Sequence, residues 1–201
     1  MDLKETNPIS RMTDVLLSIV KGLVRQPDKV KINVREIASL TVFQIQLEKN
    51  DIPLIIGKGG KHFRSIKTFA LTVGRRFGRD INVVVDEDVL PQSAKPPSRN
   101  FDIVTDPEAV RRGMDKLTSL INEMIGLIAI DKFTVERHNI GGPDVIYEVK
   151  STPEDEVRLF GPMSQFPYGP DGLVYGSIKN IVDALGKTLG RRIRLVLNKL
   201  N

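Results

Sequence analysis

The stretch Ile55-Ile56-Gly57-Lys58-Gly59-Gly60-Lys61 decides the fold of the first half of this chain. It places three glycines and two lysines between two segments with the hydrophobic pattern of helices. Glycine lets the backbone approach another group closely, because no Cβ stands in the way. The stretch therefore predicts a helix–loop–helix whose loop can come close to an anionic ligand.

The hydrophobic pattern around this loop predicts a complete α/β unit. Helical spacing and strand alternation follow one another in the order helix, strand, strand, short helix, loop, helix, strand. The predicted elements are a helix over residues 12–24, half-buried strands over 30–34 and 40–47, a helix over 61–77 and a buried strand over 81–85.

The sequence repeats this unit once. Gly60 aligns with Gly172, Gly74 with Gly186 and Gly78 with Gly190, all at an offset of 112 residues. Upstream of the loop, Gly57 aligns with Gly161 at an offset of 104. The eight extra residues fall inside the second glycine loop, which is therefore enlarged to residues 161–172.

The repeat divides the chain into two domains. We expect a first domain over residues 10–88 with the intact loop, and a degenerate second domain over residues 104–201. Residues 89–103 between them are rich in proline and serine and show no hydrophobic period, which is typical of a linker. A length of 201 residues accommodates two domains of about 100 residues each.

Composition excludes several classes of function. The 30 basic and 25 acidic residues give a net charge of +5, which favours an anionic partner. The absence of cysteine excludes disulfides and thiolate chemistry, and two histidines, His62 and His138, offer little for a metal centre. No signal peptide or membrane span is visible, so we expect a cytoplasmic protein with no membrane partner.

The charge surplus is concentrated at the glycine loop. The first 88 residues carry 15 basic and 11 acidic side chains, and the stretch 58–79 carries seven basic and no acidic ones. For the two lysines beside the glycines we favour a phosphate contact. For Arg75, Arg76 and Arg79, a phosphate contact and an ordinary solvated helix face are equally open.

The motif Gly57-Lys58-Gly59-Gly60, set between two helices and preceded by an extra helix and strand, resembles the KH family of RNA-binding domains in its type II arrangement. The likeness to the small bacterial KH proteins of the KhpA type covers about residues 11–87, and the second half resembles them more weakly. It implies an α/β (α+β) fold with two type II KH-like domains, each a three-stranded sheet packed against helices.

This resemblance implies non-catalytic binding of single-stranded RNA, as an RNA chaperone or post-transcriptional regulator, with no cofactor and no small-molecule substrate. A KH loop clamps about four nucleotides. The predicted RNA-binding residues are Ile56, Gly57, Lys58, Gly59, Gly60, Lys61, His62, Arg64 and Lys67. Leu54, Ile55 and Ile56 are candidates for an aliphatic base groove, with core packing as the alternative. No clamp is carried over to the second half, where Ser164 replaces the last glycine of the motif.

A protein-interaction scaffold is the alternative function, with KH units that mediate dimerisation or bind another KH protein. Phe166 and Tyr168 in the enlarged loop indicate either a protein contact or an anchor for the loop. We expect no enzyme, because the glycine loop does not follow the Gly-x4-Gly-Lys-Ser/Thr pattern and no metal ligands or catalytic residues are predicted. Aromatic residues make up 5% of the chain, too few for a binding platform that relies on base stacking.

Overall fold

The computed structural model describes residues 7–86, 104–128, 132–154 and 173–199. The chain divides into two compact units, Met1–Pro97 and Ser98–Asn201. The predicted linker, residues 89–103, and the enlarged loop, residues 161–172, lie outside the described residues. Within the described part, no helix has the length and apolar character needed to cross a bilayer.

The first unit is a three-stranded sheet with helices on one face. Its elements are α1 (Pro8–Leu23), β1 (Lys31–Ile37), β2 (Leu40–Gln46), α2 (Ile52–Ile56), α3 (Lys61–Arg76) and β3 (Asp80–Val85). The sheet order is β1-β2-β3, with β1 antiparallel to β2 and β2 parallel to β3. Parallel neighbours need a crossover connection, and α2, the glycine loop and α3 supply it.

The core of this unit forms where the amphipathic helices meet the inner face of the sheet. Fully buried side chains include Leu16 of α1, Phe43 and Ile45 of β2, and Ile66 and Phe69 of α3. The alternation along β2 places every second residue on the helix-covered face. This packing fixes the direction of α2 and α3, and with it the position of the glycine loop.

Two strands differ from their predicted burial. The edge strand β1 was expected to be half-buried over residues 30–34, yet Val34 is 36% exposed, and the strand continues to Ile37, which is 63% exposed. The strand β3 was expected to be buried on both faces, yet Asn82 and Val84 remain partly exposed. Ile37, Asn82 and Val84 are at least partly exposed because they lie on the face of the sheet that the helices leave uncovered. Val34 pairs with the buried Phe43 on the covered face, so its exposure shows that the helices cover that face incompletely at its β1 edge.

A buried carboxylate ties the start of α2 to the end of α1. Asp51 is 1% exposed, and its two oxygens accept hydrogen bonds from the backbone N–H groups of Arg25 (3.2 Å) and Gln26 (3.0 Å). Charge-assisted bonds of this kind are stronger than neutral ones. Asp51 therefore anchors the helix that leads into the glycine loop.

The described part of the second unit has the same sheet topology. Its described elements are α4 (Pro107–Gly126), β4 (Phe133–Gly141), β5 (Asp144–Ser151), α5 (Leu173–Thr188) and β6 (Arg192–Lys199). The sheet order is β4-β5-β6, with β4 antiparallel to β5 and β5 parallel to β6. The predicted fold class is confirmed: the chain has a mixed α/β fold with two three-stranded sheets, each packed with helices.

The corner between the last helix and the last strand has the same geometry in both units. Gly74 accepts a hydrogen bond from the Arg79 N–H through its carbonyl at 2.9 Å, and Gly186 accepts one from the Arg191 N–H at 2.8 Å. The glycines four residues further on, Gly78 and Gly190, both have a φ of 66°. These are the glycine pairs that the sequence alignment placed together.

The centre of the inner face carries a different aromatic residue in each sheet. Phe43 of the first unit corresponds to Tyr147 of the second, and both are fully buried. The Tyr147 hydroxyl lies 3.1 Å from both the Met114 carbonyl and Thr118 Oγ1 of α4. Burial raises the pKa of Tyr147, so the phenol stays protonated and remains a donor.

Candidate nucleic-acid interface

The helix α2 ends at the first glycine of the loop. Pro53 lies in its first turn, and its carbonyl accepts the Gly57 N–H at 3.0 Å. Gly57 then turns the chain with a φ of 71° and a ψ of 179°, a conformation essentially restricted to glycine. Gly59 and Gly60 also have positive φ values, 59° and 76°. Three left-handed residues in four positions explain why this short connection requires glycine.

The side chain of His62 packs against Gly57. A Cβ on Gly57 would lie 2.5 Å from Cγ and 2.7 Å from Nδ1 of the imidazole. The same Nδ1 lies 2.9 Å from the carbonyl oxygen of Leu54, which can only accept, so Nδ1 carries the proton. His62 thereby caps a carbonyl at the end of α2 and leaves room at Gly57 for a hydrogen atom alone.

A second side chain of α3 reaches back to the loop. Arg64 Nη2 donates to the Gly59 carbonyl at 2.7 Å. On its other side Gly59 is open, because a Cβ there would meet no heavy atom within 4 Å. His62 and Arg64 therefore hold the loop from the helix side, while its exposed surface remains accessible to a ligand.

Backbone N–H groups are available on this surface. The hydrogen bonds of the loop run from Gly57 to Pro53, from Gly60 to Gly57 and from Lys61 to Lys58, each from N–H to carbonyl. None of them uses the N–H of Lys58 or Gly59. The first turn of α3 adds further N–H groups and the positive end of the helix dipole. This combination suits an anion such as a phosphodiester.

The lysines beside the glycines are free to contribute charge. Lys58 and Lys61 are exposed, and neither forms an ion pair with any residue that the structure describes. Lys67, two turns further along α3, lies with Nζ 5.6 Å from the centre of the Phe63 ring. The predicted positive surface is therefore assembled at the loop and the first half of α3.

The three apolar residues before the loop take different positions. Leu54 is 6% exposed and Ile55 is fully buried, so both belong to the core. Ile56 is partly exposed at the end of α2. Of the three candidates for an aliphatic base groove, Ile56 is the one with surface to offer a base.

The structure brings together a cluster in the second unit that the sequence reasoning missed. Glu136, His138 and Glu148 lie on the outer face of the sheet, with ligand atoms within 4.8 Å of one another. Lys150 Nζ, however, lies 3.1 Å from both Glu136 oxygens and 3.8 Å from Glu148. A hydrogen bond from Asn198 lowers the pKa of Glu148. Because a lysine already balances the carboxylates, we assign no metal to this cluster.

A helix–glycine loop–helix connection between parallel strands, extended on its N-terminal side by a helix and an antiparallel strand, defines a KH domain. The comparisons agree with this class. The family model for the KH domain of KhpA and KhpB matches residues 13–85. The chain belongs to the KhpA/KhpB family of KH-domain proteins, on the evidence of its first unit.

Several relatives cover the same share of the chain. The RNA-binding protein KhpA of Listeria monocytogenes is 32% identical over 76 residues, which is 38% of this chain and 100% of the relative. Those of Chlamydia caviae and Streptococcus pneumoniae are 31% identical over 77 residues and 26% identical over 74 residues, covering 99% and 92% of the relatives. No solved structure matches the chain.

Proposed function

We propose that this chain binds single-stranded RNA without catalysis, through the loop Gly57-Lys58-Gly59-Gly60 and the start of α3. The observation that carries the proposal is the open, glycine-built loop with two unused N–H groups beside unpaired lysines. The similarity to proteins named RNA-binding protein KhpA supports RNA as the ligand.

In this proposal the loop binds the sugar–phosphate backbone of the RNA. A phosphate approaches Gly59 from its open side and accepts hydrogen bonds from the Lys58 and Gly59 N–H groups. Lys58 and Lys61 supply the counter-charge, and Ile56 contacts a base. The other proposed RNA-binding residues are Gly57, Gly60, His62, Arg64 and Lys67. His62 acts by shaping the loop, and Arg64 both shapes the loop and adds an exposed charge to the surface.

We propose that the second unit is a degenerate KH copy with boundaries close to residues 104–201. Its sheet topology and its helix–strand corner, with Gly186 and Arg191 in the places of Gly74 and Arg79, support this proposal. No RNA-binding residue is assigned to it. A role in which the KH units act as a protein scaffold is not favoured, because the relatives are named for RNA binding. Association with another KH protein or a second copy stays a prediction, as does a cytoplasmic location.

A double variant tests the clamp. Lys58→Asp with Gly59→Asp changes the charge of the loop by −3 and places a carboxylate where a phosphate would bind. Both positions are exposed, and aspartate tolerates the left-handed conformation better than most residues do. Lys31→Glu with Asn33→Glu is the matched control, because it makes the same charge change on the outer face of the same sheet.

Binding of the full chain to oligouridine should fall by more than tenfold in the loop variant and stay close to wild type in the control. Binding to four phosphates should release about 0.7 counterions per phosphate, so a plot of log Kd against log salt concentration should have a slope of about 2 to 3. A folded loop variant with unchanged affinity would contradict the clamp. If wild type binds no RNA and instead forms a stable dimer in light scattering, the scaffold function replaces this proposal.

A further inference from the structure

We propose that the exposed face of α3 extends the RNA-binding surface beyond the glycine loop. This face, which we name the α3 stripe, consists of Lys61, Arg64, Lys67, Leu71 and Arg75. The inference rests on the proposed function and deepens it, because it makes the ligand a longer single-stranded RNA that continues from the loop along the helix.

Helix geometry places these residues on one face. Successive members of the stripe are separated by three, three, four and four positions, the spacing of neighbours along one side of an α-helix. Lys61, Arg64 and Arg75 are exposed, Lys67 is partly exposed, and Leu71 is 40% exposed. At about 1.5 Å per residue, the stripe runs for about 21 Å from the loop toward the last turn of α3.

The charges on this face are not neutralised by the protein. No acidic residue occurs between Lys58 and Arg79 in the sequence. Within the described residues, Lys61, Lys67 and Arg75 form no ion pair. Arg79, by contrast, lies 3.4 Å from Glu36 and is already paired. The structure thus separates Arg75 from Arg79, two arginines that the sequence left equivalent.

Charge complementarity identifies the occupant as a polyanion. Four cations and one exposed leucine suit a sugar–phosphate backbone with an apolar contact for a base. A second copy of the same face would bring like charges together across a two-fold axis, which disfavours self-association at this surface. The part of the stripe beyond the proposed clamp residues runs from Lys67 to Arg75, about 12 Å. With stacked nucleotides spaced by about 3.4 Å, it has room for roughly three to four nucleotides beyond the clamp.

The test compares oligouridines of about 4, 7 and 10 nucleotides on the full chain, with Arg75→Gln as the variant. Arg35→Gln is the matched control. Arg35 is an exposed arginine of β1, on the face of the first sheet that points away from α3. A longer RNA can occupy a four-nucleotide clamp in more than one position, which raises the apparent affinity. This increase is the same for wild type and variant. The measurement is therefore the ratio of their dissociation constants at each length.

The ratio for Arg75→Gln should be close to 1 with the tetramer, because Arg75 lies beyond a Debye length from the loop. It should rise to roughly fourfold with the 10-mer at 0.15 M salt, as expected for one lost phosphate contact. Arg35→Gln should stay near 1 at all lengths. If Arg75 only stabilises the C-terminal end of α3, the variant lowers Tm but its ratio stays at 1, which overturns the stripe.

The outcomes separate this inference from the proposed function. Tetramer binding without any length-dependent loss in Arg75→Gln overturns the stripe and leaves the clamp intact. Absence of binding at every length overturns both. Wild-type association into dimers that Arg75→Gln disrupts, with RNA affinity unchanged, would assign the face to a protein contact and overturn the stripe as an RNA surface.

Discussion

The imidazole of His62 occupies the space into which a side chain on Gly57 would project, and its Nδ1 donates to the Leu54 carbonyl at 2.9 Å. This relationship joins the last turn of one helix to the first turn of the next across the glycine loop. It explains why residue 57 is glycine on two independent grounds, backbone conformation and lack of space. The loop therefore owes its shape to a residue that lies outside the glycine motif.

The glycines of the loop should differ in their sensitivity to alanine. Gly57→Ala combines a strained backbone with a clash against His62, so it should lower the free energy of unfolding by about 2–4 kcal/mol. The Cβ of Gly59→Ala would meet open space, so only the positive φ should lower the free energy of unfolding, by about 1–2 kcal/mol. Urea denaturation of both variants measures the difference. Equal losses would show that His62 is not held against Gly57 in solution.

His62 should act on RNA through the loop it positions. His62→Ala removes both the contact with Gly57 and the bond to Leu54, and should weaken RNA binding by about three- to tenfold, which corresponds to one lost hydrogen bond. His62→Asn retains a donor near the position of Nδ1 and should recover most of the affinity. The dissociation constants with tetrauridine, measured alongside Tm, distinguish this role from a general loss of stability. Failure of the asparagine variant to recover affinity, with Tm restored, would instead indicate a direct contact between the imidazole and RNA.

The two helix–strand corners should respond alike to the same substitution. A Cβ on Gly74 would lie 2.7 Å from the Arg79 carbonyl oxygen, and one on Gly186 would lie 2.6 Å from Ile193 Cδ1. Both alanine variants should therefore destabilise their own unit by about 1–3 kcal/mol. Hydrogen exchange resolved by residue measures each unit separately, as two units need not unfold together. A large loss for one glycine and none for the other would argue against equivalent corners.

The buried phenol of the second unit should contribute to stability and not to RNA binding. Tyr147→Phe removes the hydrogen bond to the Met114 carbonyl and leaves the ring in place, so the unit should lose about 0.5–1.5 kcal/mol. Because burial raises the pKa of Tyr147, the folded state disfavours phenolate, and stability should fall as pH rises through the unfolded value near 10. The variant should lack this alkaline loss. RNA affinity that drops in the folded variant would implicate the second unit in binding.

Local pattern in the sequence was sufficient to predict the helices, the strands and the glycine loop. Helical spacing predicted a helix over residues 12–24, where the structure has most of α1, and the aligned glycines identified corners that share a hydrogen-bond geometry. Contacts between distant elements could not be predicted in this way. The exposure of Val34, which lies on the helix-covered face opposite Phe43, depends on how far the helices extend over the edge of the sheet.

The role of His62 also depends on tertiary structure, because its bond to Leu54 spans eight residues and forms only when α2 and α3 meet at the loop. The cluster of Glu136, His138 and Glu148 was missed for a similar reason. Glu136 and Glu148 lie opposite each other only in the register of the β4–β5 hairpin. Alternating polar residues in the two strands that the repeat predicts for the second half are the signal that could have found it.

The most direct test of the central claim is an amide-resolved NMR titration of the full chain with tetrauridine. The largest chemical-shift changes should occur at the N–H groups of Lys58 and Gly59 and in the first turn of α3. Residues on the outer face of the first sheet, such as Asn33, should remain unperturbed. Saturable shifts confined to the second unit, with the Lys58 and Gly59 amides unmoved, would contradict the account.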